Sequence, residues 1–164
     1  MEYTIVDQPA FTLTGQGLRV STKNGQNFTL IPQFWEDCEA NGLIDRIKSW
    51  SSPKLFPSGA VFGICTDFAA DMSEFTYAIA AERSEGAAPA ELIEFPIPPA
   101  SWACFTAIGP LPESIQSVWK RIWSEFFDVS SYSHGNGPEI EIYFGGNPSS
   151  ADFTCEVRIP VVKK

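Results

Sequence analysis

Apolar residues recur along this chain with two alternating periods, and the periods mark out its elements. Phe11 to Val20 reads as a strand, preceded by Asp7-Gln8-Pro9-Ala10. Gly15 and Gly17 inside it predict a bulge or a close backbone approach. After a polar loop, Ile31, Phe34, Trp35 and Cys38 follow at helical spacing. That helix starts near Thr29 to Pro32, with Pro32 in the first turn, and stops at Asn41-Gly42. Leu43, Ile47 and Trp50 extend the helical region to Ser51-Ser52-Pro53. Strands are then predicted over Ala60 to Asp67, Phe75 to Glu82, Leu92 to Ile97 and Trp102 to Ile108. A small-residue loop over Arg83 to Pro89 separates the second of these from the third. Ile115, Val118, Trp119, Ile122, Trp123 and Phe126 define the clearest helix, opened by Pro112 and Glu113. A last strand runs from Phe153 to Val162.

The order strand, helix, strand, strand occurs twice. Short matches support the repeat: Pro9-Ala10 with Pro99-Ala100, and Phe75-Thr76 with Phe153-Thr154. The expected fold class is α+β. Two pseudo-symmetric β-α-β-β repeats form a curved antiparallel sheet, with two main helices on one side and a ligand cleft between the halves. The opposite, concave side is where that cleft is expected. No linker or composition shift divides the chain, so one domain is expected over 1–164, with halves of about 1–88 and 89–164.

One strand carries the candidate chemistry. Between Gly137-Pro138 and Gly145-Gly146, residues alternate with period two. Ile140, Ile142 and Phe144 share one face; Glu139, Glu141 and Tyr143 share the other. A carboxylate walled by aromatic rings in a concave site holds a cation, and a dry site requires that the carboxylate be paired. Glu139, nearer the turn, is expected in solvent.

Composition narrows the partners. The 164 residues are 44% hydrophobic and 13% aromatic, which suits a globular domain with rings to spare for a site. The formal charge of −9, with 11 basic residues against 20 acidic ones, disfavours direct nucleic-acid binding. No transmembrane run or signal peptide is evident, so a cytoplasmic location and no membrane partner are expected. Cys38, Cys65, Cys104 and Cys155 are widely spaced in apolar surroundings and are expected as buried free thiols. His134 is the single histidine and is expected exposed, so neither a metal site nor a haem or other cofactor is expected.

Several segments together resemble the GyrI-like small-molecule-binding domain, the effector-binding domain of AraC- and MerR-type transcription regulators, which has a SOUL-like fold. They are Ile31-Pro32-Gln33-Phe34-Trp35, Phe75-Thr76-Tyr77-Ala78, Ile97 to Phe105, Gly109-Pro110-Leu111, Gly137 to Tyr143 and Arg158-Ile159-Pro160-Val161. The resemblance runs over nearly the whole chain. It implies an aromatic-lined pocket with an acidic residue that engages cationic, lipophilic compounds. The family's Pro-x-x-Glu-x-Tyr pattern falls on Pro138, Glu141 and Tyr143. The chain departs from the family at Trp102, where tyrosine is usual, and at Ser124 to Phe127, where a Trp-Leu-Pro run is common.

The expected function is therefore a stand-alone binding module for cationic or amphipathic, multidrug-like compounds, with Glu141, Tyr143, Trp102, Tyr77 and Trp35 as ligand-binding residues. Trp119 and Trp123 are expected mostly in the core, with one of them open to edging into the pocket. One alternative is a hydrolase of electrophilic, cyclopropane-type alkylating agents, with Glu141 as general base and Tyr143 orienting the substrate. Another is a protein-binding, gyrase-inhibitor-like module. The aromatic surplus also permits a homodimer, and a separate regulatory protein is the partner to which such a module would report.

Overall fold

The structure, a computed structural model, describes residues 1–164 except Ser84 and Ala87. The loop expected over Arg83 to Pro89 contains those two residues and to that extent lies outside the described ones.

Among the described residues, nine strands form one antiparallel sheet. They are β1 (Thr4–Gln8), β2 (Phe11–Ser21), β3 (Val61–Thr66), β4 (Glu74–Glu82), β5 (Ile93–Ile97), β6 (Ala100–Ile108), β7 (Tyr132–His134), β8 (Glu139–Tyr143) and β9 (Thr154–Lys163). The hydrogen-bonded order is β1-β6-β9-β8-β3-β4-β2-β5, with β7 also pairing with β9. Helices α1 (Asn27–Ala40) and α2 (Leu43–Trp50) connect β2 to β3, and α3 (Glu113–Arg121) follows β6.

The strand order is symmetric about the β3–β8 pair. β2, β3 and β4 repeat as β6, β8 and β9, so the predicted β-α-β-β order appears twice. Two short strands complete the symmetry: β5, expected over Leu92 to Ile97, and β1, which the periodicity does not show. β1 precedes β2 in the chain but pairs with β6, and β5 precedes β6 but pairs with β2. Each short arm thus adds to the main strand of the other half. β1 and β2 are joined through Pro9 and Ala10 alone, yet β1 lies at one end of the strand order and β2 near the other. The sheet must curl until its ends approach.

Alternation within the strands builds a core on each face. One cluster joins Phe11, Leu13, Phe62, Ile64, Ile140, Ile142 and Trp102 across the curl, on the face away from the helices. The helix-covered face holds two clusters. Leu43 and Ile47 of α2 pack with Val61, Tyr77 and Ile79, while Ile115 of α3 packs with Phe105, Val157 and Ile159. α1 and α2 lie over β2 and β4, and α3 lies over β6 and β9. The central strands β3 and β8 run between these two groups of helices.

Two helical details depart from the sequence pattern. Pro32 sits in the second turn of α1 rather than the first, because a short 3₁₀ turn at Lys23–Gly25 starts the helix early, at Asn27. After Arg121 the chain winds through a wider π turn, Ile122–Phe126. Ile122 and Phe126 stay buried, but Trp123, which helical spacing assigned to the core, is 50% exposed. Inserting a π turn rotates the face that follows it. Among the described residues no helix is long and apolar enough to cross a membrane.

Candidate functional site

Three carboxyl groups are buried among the described residues: Glu82, Glu139 and Glu141. Burying a carboxylate is costly unless hydrogen bonds or a countercharge replace its water. The three are satisfied in different ways, and the difference locates the site.

Glu82 is a structural acceptor. Its two oxygens take the backbone N–H groups of Lys54, Leu55 and Phe56 at 2.9–3.2 Å, fixing the loop after α2. Its hydrogen-bonding capacity is spent on main chain.

Glu141 is held by side chains alone. It lies on β8 directly opposite Gly63 of β3 and is 7% exposed. Oε1 accepts the Trp119 indole N–H at 2.7 Å. Oε2 accepts the Tyr77 hydroxyl at 2.7 Å and the Tyr143 hydroxyl at 2.8 Å. A second indole, Trp35, donates to the Tyr77 oxygen at 2.9 Å. An indole N–H can only donate, so the Tyr77 oxygen accepts from Trp35 and sends its own proton to Glu141. The Trp35 ring also meets the Tyr143 ring edge-on, with centroids 4.9 Å apart.

Every group touching this carboxylate is a neutral donor, and among the described residues no lysine, arginine or histidine pairs with it. Burial, reinforced by the Glu141 charge, pushes the phenols of Tyr77 and Tyr143 well above their ordinary value, so both remain donors. Trp35 on α1 and Trp119 on α3 are half-buried and come from the two helices that flank the central strands. Their rings close the carboxylate in from the helix side.

The structure brings Trp35, Tyr77, Glu141 and Tyr143 together. It does not bring Trp102 to them. Trp102 is 1% exposed, on the opposite face of the sheet, in the core with Phe62, Ile140 and Ile142. Its indole nitrogen has no hydrogen-bond partner among the described residues. On β6 the helix-facing positions are Ala103, Phe105 and Ala107, so alternation turns Trp102 away. The side assigned to the cleft changes for the same reason: the face away from the helices is filled with apolar side chains, and Glu141 points towards the helices. Two surface depressions, one lined by Ala10 to Thr12 and Pro96 to Pro98 and the other by Phe144 to Asn147, Ser150 and Asp152 to Thr154, contain none of the four residues.

Two further participants join them. Trp119 is one, although its helical stripe reads mostly as core, with one of Trp119 and Trp123 open to edging into the pocket. Gly63 is the other: a Cβ there would run into both the Tyr77 hydroxyl oxygen and Glu141 Oε2. A glycine inside the apolar run Val61-Phe62-Gly63-Ile64-Cys65 was the available signal.

Glu139 and His134 also depart from expectation. Glu139 is 6% exposed rather than solvated, because it too lies on the helix-facing side of β8. His134 Nε2 lies 3.0 Å from its Oε1. The four cysteines are buried free thiols, as expected. No group of potential metal ligands occurs among the described residues.

Comparison with known proteins adds to this geometry. The family model for the GyrI-like small molecule binding domain matches residues 1–162. SAV2435, in its structure bound to tetraphenylphosphonium, is 22% identical, with 99% of this chain and 94% of that one covered and a TM-score of 0.86. The C-terminal domain of EcmrR is 16% identical, with 99% and 98% covered and a TM-score of 0.63. For EcmrR in complex with DNA the identity is 17%, the chain spans 58% of that protein's length, and the TM-score is 0.61. No curated protein matches the sequence.

Proposed function

The chain belongs to the GyrI-like small-molecule-binding domain family, and from that premise we propose that it binds cationic, lipophilic or aromatic compounds at Glu141. One observation carries the reading: a buried carboxylate held by two phenols and an indole, with no countercharge among the described residues. Neutral donors orient such a group without neutralising it. A ligand cation supplies the missing charge, and the rings of Trp35, Tyr77, Trp119 and Tyr143 supply faces and edges for its apolar substituents. SAV2435, a protein of the same fold, is seen with a ligand of this class, tetraphenylphosphonium.

Charge selectivity is the test. Tetraphenylphosphonium and tetraphenylborate are nearly the same size and shape and carry opposite charges. Calorimetric titration is expected to show the phosphonium binding at least about tenfold more tightly, and Glu141→Gln reducing that binding by about tenfold or more. Equal binding of the two ions, or full binding by Glu141→Gln, would overturn the proposal. EcmrR carries a domain of this fold at its C-terminus and is found in complex with DNA. That makes coupling to a transcription regulator the biological setting we propose for binding.

A further inference from the structure

Glu139 is the buried carboxyl group that the Glu141 site does not use. It sits two residues before Glu141, on the same face of β8. Glu82 is taken up by three main-chain N–H groups, and Glu141 is oriented by three neutral side-chain donors. Among the described residues Glu139 has one hydrogen-bond partner, His134. That partner sits among aromatic rings. The imidazole stacks on Trp123, with centroids 5.7 Å apart and planes 25° apart, and lies 6.1 Å from the ring of Phe127. Trp123 and Phe127 in turn meet at 5.2 Å. Trp123 is half exposed, so this cluster reaches solvent.

The spacing repeats that of the first site. Positions two apart on a strand lie ~7 Å apart. Positions four apart along a helix rise ~6 Å. Trp119 reaches Glu141, and Trp123, four residues on, covers the partner of Glu139. The helical segment therefore presents two indoles at nearly the same interval as the strand presents two carboxyl groups.

We propose that Glu139, with Trp123 and Phe127, forms a second cation subsite, so that the ligands of this protein include elongated dications. The proposal rests on the reading of Glu141 as the first subsite. In the unliganded protein the His134 side chain occupies the second subsite, and a ligand's second cationic head displaces it from the carboxyl group. The rings of Trp123 and Phe127 then take the apolar skin of that head, as rings over a quaternary ammonium do. The two heads are ~6–7 Å apart, the interval between the carboxyl-bearing positions on the strand.

The test uses polymethylene bis(trimethylammonium) salts of increasing chain length, with tetraphenylphosphonium as the single-charge control. Affinity is expected to peak at about four or five methylenes, where the nitrogens span that interval. Glu139→Gln should weaken the best dication by about tenfold or more while changing tetraphenylphosphonium binding by less than about twofold. Trp123→Ala removes a half-exposed ring and so leaves the fold intact; it should weaken the same dication by about three- to tenfold. A monotonic rise with chain length, or equal losses for both ligands in both variants, would overturn the second subsite and leave Glu139 as a structural partner of His134. If tetraphenylphosphonium itself fails to bind, the Glu141 reading falls and the second subsite with it. If it binds and the dications show no optimum, only the second subsite falls.

Discussion

Gly63 and Glu141 face each other across the central β3–β8 pair, and the missing side chain at 63 makes room for the carboxylate. A methyl group there would overlap both Glu141 Oε2 and the Tyr77 hydroxyl oxygen. Neither can retreat easily, because Tyr77 is fixed by Trp35 and Glu141 by Trp119. Gly63→Ala is therefore expected to destabilise the fold by about 1–3 kcal/mol, the usual range for overpacking. It should also abolish cation binding. Urea denaturation and calorimetric titration read the two effects separately.

Tyr77 and Tyr143 both donate to Glu141, but they are not equivalent. The Tyr77 hydroxyl makes two hydrogen bonds, accepting from Trp35 and donating to Glu141. The Tyr143 hydroxyl makes one. Removing the first strands an indole N–H as well as an acceptor lone pair. Tyr77→Phe should lose about 1–3 kcal/mol and Tyr143→Phe about 0.5–1.5 kcal/mol. Equal midpoints in urea would contradict the relay from Trp35 through Tyr77.

Glu82 supplies a control for burial without binding. Its oxygens cap three consecutive backbone N–H groups. An amide cannot accept on both arms, so Glu82→Gln should lose about 1.5–3 kcal/mol of stability. Tetraphenylphosphonium binding should stay within about twofold. Loss of binding in this variant would mean that the site depends on general stability rather than on Glu141.

The thiols and phenols predict behaviour at high pH. Burial, with the Glu141 charge added for Cys155, pushes Cys155 from 9.0 up to about 12; burial pushes Cys104 up to about 11. Cys65, Tyr77 and Tyr143 are also raised well above their ordinary values, chiefly by burial. The unfolded chain releases thiol protons around pH 9.0 and phenol protons around 10.0, while the folded chain retains them. A group raised in the folded state contributes stability that is complete below its unfolded value and is lost as pH rises. The urea midpoint should accordingly be flat from pH 7 to 8 and fall from about pH 9 upward. A thiol reagent should find little in the native protein at pH 8 and four free cysteines after unfolding. Rapid native-state labelling would contradict the burial.

Much of this was legible in the residues. The periodicity located α2 at its observed limits, and β2, β4, β6 and β9 to within two residues at either end. The alternation in Glu139–Tyr143 put both carboxyl groups on one face. Trp35, Tyr77, Glu141 and Tyr143 do converge. What the pattern could not carry was direction across the sheet. Trp102 has the right residue type, but its strand turns it to the other face, and only the pairing register decides that. β1 and β7 are short, and their hydrogen-bond partners lie far along the chain or near its end, so no local signal announced them. Trp119 looked like one more ring in a helical stripe. Its role depends on which strand lies beneath it, and that is a property of the assembled sheet.

The crossed arms have a mechanical consequence. With β1 stitched to β6 and β5 stitched to β2, each half lends a border to the other, as two hands clasp. A cut anywhere between them would strip an outer strand from both pieces at once, so neither piece keeps its full complement of partners. The carboxylate sits where the clasp is centred, one strand from each half, and a guest held there grips both hands together.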